Sequence, residues 1–242
     1  MQFIICENYD EISKTAARIM EAQIKTNPKS VLGLATGSTP VGMYKELIRM
    51  HQQDGLDFSA IQSYNLDEYY PIDPTNDQSY RYFMNANLFD HVNIDKANTH
   101  VPCGSADVDP EISSKEYDAA LDNCGGIDIQ ILGIGENGHI GFNEPDASLV
   151  AGTHVTDLTQ NTIEVNARFF EKIEDVPKKA ITMGMASIFK AKKILLLISG
   201  AKKHAVTKEL LHDGITTSVP ATFLKLHSGV VVICDKAAYY GA

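Results

Sequence analysis

Six short apolar runs recur along the chain with helical patterns between them, and this alternation constrains the fold more than any single motif. The runs are QFIIC (2–6), VLGLA (31–35), IQSYNL (61–66), IDIQILGI (127–134), ILLLIS (194–199) and GVVVIC (229–234). Each has the length of a strand. Helical patterns over roughly 10–26, 40–54, 78–90, 110–123, 159–170 and 201–212 separate them. Strands that are apolar along their whole length must be covered on both faces, and crossover helices supply that cover. The pattern therefore predicts an α/β fold: a doubly wound, mostly parallel sheet with helices on both faces. A chain of 242 residues is long enough to bury a sizeable core, and one domain spanning residues 1–242 is expected.

Composition excludes several classes of function. A formal charge of −10 makes the overall field repel polyanions, and Lys178–Lys179, Lys192–Lys193 and Lys202–Lys203 are separate pairs rather than a basic patch, so no nucleic-acid partner is expected. Cys6, Cys103, Cys124 and Cys234 show no C-x-x-C spacing, and the opening MQFIICENYD has no basic segment leading into an apolar one. A cytoplasmic protein with reduced thiols is expected. No apolar run approaches the roughly 18 residues of a membrane span, so no membrane partner is expected either.

In open α/β sheets ligands bind beyond the carboxyl ends of the strands, which selects the loops to read. The first, TGSTP (36–40), joins a strand to a helix opening with Pro40. Thr36, Gly37, Ser38 and Thr39 offer backbone N–H groups and hydroxyls to an anion at a helix N-terminus, yet an ordinary Ser/Thr cap uses the same residue types. No G-x-x-x-x-G-K follows, so a nucleoside triphosphate is not expected. In NLDEYYP, Asp67 and Glu68 end an apolar strand beside two tyrosines. Either carboxylate could serve as a general base with its pKa raised by partial burial, although residue type alone favours a solvated pair.

The stretch LGIGENGHIGFNEP (132–145) is more specific. Its strand runs into Asn137, His139, Asn143 and Glu144 among four glycines, and His139 is the one side chain there with an ordinary pKa near neutrality. A histidine in such a strand-end loop is read as functional, with Glu144 or Asn137 orienting its ring. No second His or Cys stands at ligand spacing, so no metal is expected, and no cofactor motif is present. In SGAKKH (199–204), Lys202 or Lys203 follows a glycine turn and can point at the same crevice or at solvent. Arg168, in NARFF, is a second candidate cation or the member of a structural ion pair. The set fits proton-transfer chemistry on a phosphorylated sugar.

Through LGLATGSTP, NLDEY, ILGIGENGHIGFNEP, NARFF, VPKKAITMG and LHSGVVVICD, the chain resembles the glucosamine-6-phosphate deaminases over essentially all of its length. The resemblance implies a modified Rossmann-like sheet. It also implies conversion of glucosamine 6-phosphate and water to fructose 6-phosphate and ammonia in amino-sugar catabolism, without a cofactor. By resemblance, Asp67 is the base that moves the C2 proton, and His139 opens the sugar ring by proton transfer involving O1 and O5. Glu144 and Asn137 are its partners. Some members have Asp where this chain has Asn137, and an amide orients without adding charge. The phosphate grip maps onto Ser38 and Thr39 beside Gly37, with Arg168 and Lys203. Residues about 145–175 would form a mobile lid. The short tail KAAYYGA implies a monomer or small homo-oligomer that N-acetylglucosamine 6-phosphate does not activate. Two rivals share the fold: a 6-phosphogluconolactonase, for which the Asp67–Glu68 strand end is superfluous, and a sugar-phosphate sensor domain, for which a DNA-reading segment is expected ahead of QFIIC.

Overall fold

The computed structural model describes residues 1–167, 170, 172 and 176–241. Among them lie ten strands: β1 (Gln2–Cys6), β2 (Val31–Leu34), β3 (Gln62–Asn65), β4 (Asp67–Tyr70), β5 (Thr99–His100), β6 (Ile129–Leu132), β7 (His154–Asp157), β8 (Lys179–Thr182), β9 (Ile194–Ile198) and β10 (Val230–Asp235). Seven of them form one sheet in the order β1-β10-β9-β6-β2-β3-β5, and every pairing in it is parallel. The α-helices among the described residues are α1 (Tyr9–Thr26), α2 (Val41–Asp54), α3 (Tyr80–Met84), α4 (Pro110–Asn123), α5 (Gln160–Asn166), α6 (Met185–Phe189), α7 (His204–Leu211) and α8 (Lys236–Tyr240). This is the doubly wound α/β architecture that the apolar alternation predicts.

Packing follows from the same pattern. Leu32, Leu34, Ile129, Ile131, Leu132 and the whole of β9 are buried. Burying each such side chain contributes roughly 1.5–3 kcal/mol before the cost of ordering it. On α1, Ile12, Ala16, Met20 and Ile24 recur every fourth residue, so one stripe faces inward and all four are buried. Asn8 fixes where that helix starts, its side chain accepting the Glu11 N–H at 3.0 Å. None of the described helices is long and apolar enough to cross a membrane.

Connectivity positions the cleft. From β2 the chain builds outward through β3 to β5, then returns to lay β6 against the other side of β2 and continues outward through β9 and β10. The order of winding therefore reverses between β2 and β6, and at such a switch point the strand-end loops part and leave a crevice.

Several elements differ from the sequence reading, among them β5, β7, β8, α6 and α8, which fall in none of the apolar runs or helical patterns. Asp67 and Glu68, expected at the end of an apolar strand, instead open a new one: β4 pairs antiparallel with β8, and β8 with β7, in a second, three-stranded sheet. Leu66 makes the transfer. Its N–H donates to Leu34 O at 3.0 Å in the large sheet, while its carbonyl accepts from Met183 N at 2.8 Å beside the small one. The helical pattern over 78–90 is also interrupted, since α3 ends at Met84 and the chain widens into a π-helical turn at Asn85–Phe89. There the Asn87 side-chain amide donates to Phe83 O at 2.8 Å, a local competitor to regular helix bonding.

Candidate active site

The first wall of the cleft is the loop leaving β2. Tyr44 Oη donates to Ala35 O at 2.6 Å, and Tyr9 Oη donates to Ser38 O at 3.0 Å while accepting the Gly42 N–H at 2.8 Å. Two buried or half-buried tyrosines thus pin a short polar loop from both ends. Gly37, Ser38 and Thr39 line the cleft just ahead of α2, whose first turn has backbone N–H groups without partners within the helix.

The second wall is the loop after β6. The Gly135 N–H donates to His139 O at 2.9 Å and closes a tight turn. A Cβ at Gly135 would lie 2.4 Å from the His139 ring, so only glycine lets the imidazole fold back over this turn. Gly141 has φ +57°, in the left-handed region, and sends the chain on toward Glu144.

His139 Nδ1 lies 3.0 Å from Glu144 Oε1. The distance is that of an ion pair, yet the ring nitrogen is not aligned for a hydrogen bond to the carboxylate. Contacts of this kind commonly tighten only when the substrate is bound. Asn137 does not orient the ring directly: its amide donates to Glu144 Oε2 at 2.6 Å, and its carbonyl accepts the His139 backbone N–H at 3.3 Å. From α5, Thr162 Oγ1 donates to Glu144 Oε1 at 3.1 Å. Burial by itself would raise the Glu144 carboxyl, but the contacts from His139, Asn137 and Thr162 outweigh it and hold the carboxyl below its ordinary value.

Asp67 enters from the third side as the first residue of β4, and it lines the cleft. Glu68 does not. Its carboxylate accepts N–H groups from Tyr69 at 2.9 Å, Tyr80 at 2.8 Å and Arg81 at 2.9 Å, which ties β4 to the start of α3. Alternation along the strand separates the two carboxylates. Burial, with repulsion from Glu68, pushes the Asp67 carboxyl up to about 8. Burial pushes Glu68 up to about 7, against the three N–H donors and nearby Arg81.

Lys203 reaches the cleft from the turn after β9 and donates to Ile134 O at 2.8 Å, whereas Lys202 is exposed. Asp235 steadies this turn by accepting Ser199 Oγ at 2.6 Å and the Gly200 N–H at 2.9 Å. Burial lowers the Lys203 pKa, partly offset by Glu136. Arg168 lies outside the described residues, as does much of the second half of the 145–175 segment.

The structure therefore gathers Gly37, Ser38, Thr39, Asp67, Asn137, His139 and Lys203 around one cleft of about 310 Å³, with Glu144 directly behind His139. Tyr80 and Thr162 also line it, and neither stands out in the sequence. The volume suits a small molecule. Among the described residues, no group of three or more His, Cys, Asp or Glu side chains is placed to hold a metal.

A helix N-terminal turn, a lysine, a histidine and a buried carboxyl thus line one strand-end cleft of an α/β protein, of a size that suits a small-molecule ligand. Residues 7–233 match the family of glucosamine-6-phosphate isomerases/6-phosphogluconolactonase, and the chain belongs to that family. A glucosamine-6-phosphate deaminase of Clostridium perfringens is 57% identical over 238 residues, 98% of each chain. One of Clostridioides difficile is 54% identical across 98% of this chain and 95% of its own. A solved structure described as a monomeric glucosamine-6-phosphate deaminase is similar with TM-score 0.97 and 45% identity over 100% of both chains. A 6-phosphogluconolactonase from Thermotoga maritima shares the fold at TM-score 0.74 and 22% identity, over 97% and 99% of the chains.

The raised Asp67 carboxyl has a consequence for stability. A group whose pKa rises on folding contributes stability that is complete below its unfolded pKa and is lost as pH climbs through the folded value. For Asp67 that window runs from the ordinary 3.8 to about 8. Unfolding by urea at a series of pH values should therefore show stability falling across this window. Asp67→Asn should flatten the fall, and an unchanged slope in that variant would contradict the raised pKa of the buried Asp67 carboxyl.

Proposed function

We propose that the protein is a glucosamine-6-phosphate deaminase, converting glucosamine 6-phosphate and water to fructose 6-phosphate and ammonia. The observation that carries this reading is the pairing of two independent proton-transfer groups on one cleft. Asp67 comes from β4, and His139 with Glu144 comes from the loop after β6. Full-length relatives called deaminases support it.

The chemistry divides between the two groups. His139, oriented by Glu144, takes the proton from O1 and returns one to O5 as the C1–O5 bond breaks, leaving an open-chain aldehyde. Glu144 stabilises the imidazolium formed in between. Asn137 acts through Glu144, since an amide adds orientation and no charge. Asp67 then takes the C2 proton, giving an enolamine in which O1 gains a proton as the nitrogen loses one. Return of the proton at C1 leaves a hydroxymethyl group at C1 and an imine at C2. Water adds to that carbon, and ammonia departs to leave the ketone. A base must be ionised to accept a proton, and burial tunes Asp67 close to neutrality, where base strength and availability are balanced.

The phosphate end of the substrate fits the N–H groups and hydroxyls of Gly37, Ser38 and Thr39 together with the Lys203 ammonium. Arg168 is proposed as a further cation for the same phosphate on the resemblance alone. The lid role for 145–175 rests on the same ground. The free state of Cys6, Cys103, Cys124 and Cys234 favours a cytoplasmic location.

Incubation with glucosamine 6-phosphate should release equal amounts of ammonia and fructose 6-phosphate, and 6-phosphogluconolactone should be hydrolysed no faster than in buffer. Lactone hydrolysis without ammonia release would replace this reading with the lactonase one. Lys203→Ala should raise KM roughly tenfold or more, the loss expected for one charge-assisted contact, with kcat much less affected.

By likeness to the monomeric deaminase, the chain is proposed to be monomeric with hyperbolic kinetics. Sedimentation at working concentration should give a single species near 26.5 kDa. A larger assembly with sigmoidal kinetics would contradict it.

A further inference from the structure

We propose that Thr162 is a positioning residue for ring opening, its hydroxyl fastening α5 to Glu144 and so holding that carboxylate against His139. The assignment rests on the deaminase reading and deepens it.

A glutamate side chain has three rotatable bonds, and one contact leaves its carboxylate free to pivot. Two anchors fix it. Asn137 holds Oε2 at 2.6 Å, and Thr162 holds Oε1 at 3.1 Å. Oε1 is the oxygen that faces His139 Nδ1 at 3.0 Å. The imidazole contact is itself poorly aligned, so it does not supply the missing anchor. Of the side chains on Glu144 among the described residues, Asn137 and His139 come from its own loop. Thr162 is the one that arrives from another element.

The hydroxyl is held in turn. Thr159 is the N-cap of α5, its Oγ1 accepting the Thr162 N–H at 3.2 Å, and the two hydroxyl oxygens lie 2.9 Å apart. A single direction of donation satisfies the chain: Thr159 Oγ–H to Thr162 Oγ1, then Thr162 Oγ–H to Glu144 Oε1. Thr162 is buried, so water does not readily replace its hydroxyl. The first turn of α5 and the orientation of the His139–Glu144 pair are thereby coupled.

The cap and the anchor use different atoms of Thr162, which separates a positioning from a merely structural role. The cap uses the backbone N–H, which every substitution but proline retains. Thr162→Val keeps shape and β-branching and removes only the hydroxyl. In the full-length protein, Thr162→Val and Thr162→Ala should lower kcat for ammonia release from glucosamine 6-phosphate roughly tenfold or more, as for loss of one hydrogen bond to a charged group. KM should stay within about twofold, because the phosphate grip is untouched. Thr162→Ser should restore most of kcat, and circular dichroism should show all three variants folded at the assay temperature. Native kcat in both the Val and Ala variants would overturn the assignment. A Ser variant as slow as Val would also overturn it, since the methyl rather than the hydroxyl would then matter. Absence of ammonia release from the native chain would end the deaminase reading and this assignment together. Native release with unaffected variants would end only the assignment.

Discussion

Everything at the cleft depends on the transfer of the chain from one sheet to another at Leu66. One residue cannot extend the parallel ladder and also lead into an antiparallel one unless its N–H and its carbonyl point to different sheets. Leu66 satisfies this by bonding to Leu34 with its N–H and to Met183 with its carbonyl. The next residue, Asp67, is consequently delivered into the gap above the switch point, away from both hydrophobic faces yet shut off from most solvent. Glu68 then anchors β4 to α3 through three backbone N–H groups. One carboxylate serves the architecture, while among the described residues its neighbour Asp67 has no side-chain hydrogen bond.

The electrostatics of the cleft follow from how differently its carboxylates are solvated by protein. Asp67 has burial and a like-charged neighbour, and its pKa rises to about 8. Glu144 is also partly buried, but an imidazole, an amide and a hydroxyl surround it and keep it ionised. Groups of the same chemical type are thereby separated into one whose pKa lies near neutrality and one held as an anion beside an imidazole. The two stages of the proposed reaction need that division, since ring opening and C2 proton transfer occur at different atoms of one bound sugar. Strand β4 and the loop after β6 bring the groups in from opposite sides.

The central strands of the large sheet were legible in the sequence because they are buried on both faces and their apolar runs are continuous, whereas the two-residue edge strand β5 left no run to read. VLGL, IQIL and ILLLI needed no context to be read. The small sheet was not legible. DEYY, HVTD and KAIT are four residues long and mixed in polarity, and their pairing reflects contacts between distant segments rather than local preference. That is why the sequence pattern puts Asp67 at the end of one strand when it starts the next. In the cleft, His139 and Glu144 stood out through their glycine-rich setting. Lys203 could not be told from Lys202 until the turn at Gly200 aimed only one of them inward. Thr162 left no trace, because a threonine in a polar helical stretch is indistinguishable from a solvated one until Glu144 is placed beside it.

The central claim is that the sheet transfer places Asp67, and not Glu68, over the C2 proton. Hydrogen exchange at C2 of the sugar phosphate in heavy water, followed by proton NMR, tests it directly by comparing Asp67→Asn with Glu68→Gln. Positioned proton transfer contributes typically 10²–10⁴-fold, so exchange in the Asp67 variant should fall by at least roughly the lower figure. The Glu68 variant should retain exchange to the extent that it folds. Retained exchange in Asp67→Asn with lost exchange in a folded Glu68→Gln would contradict the account.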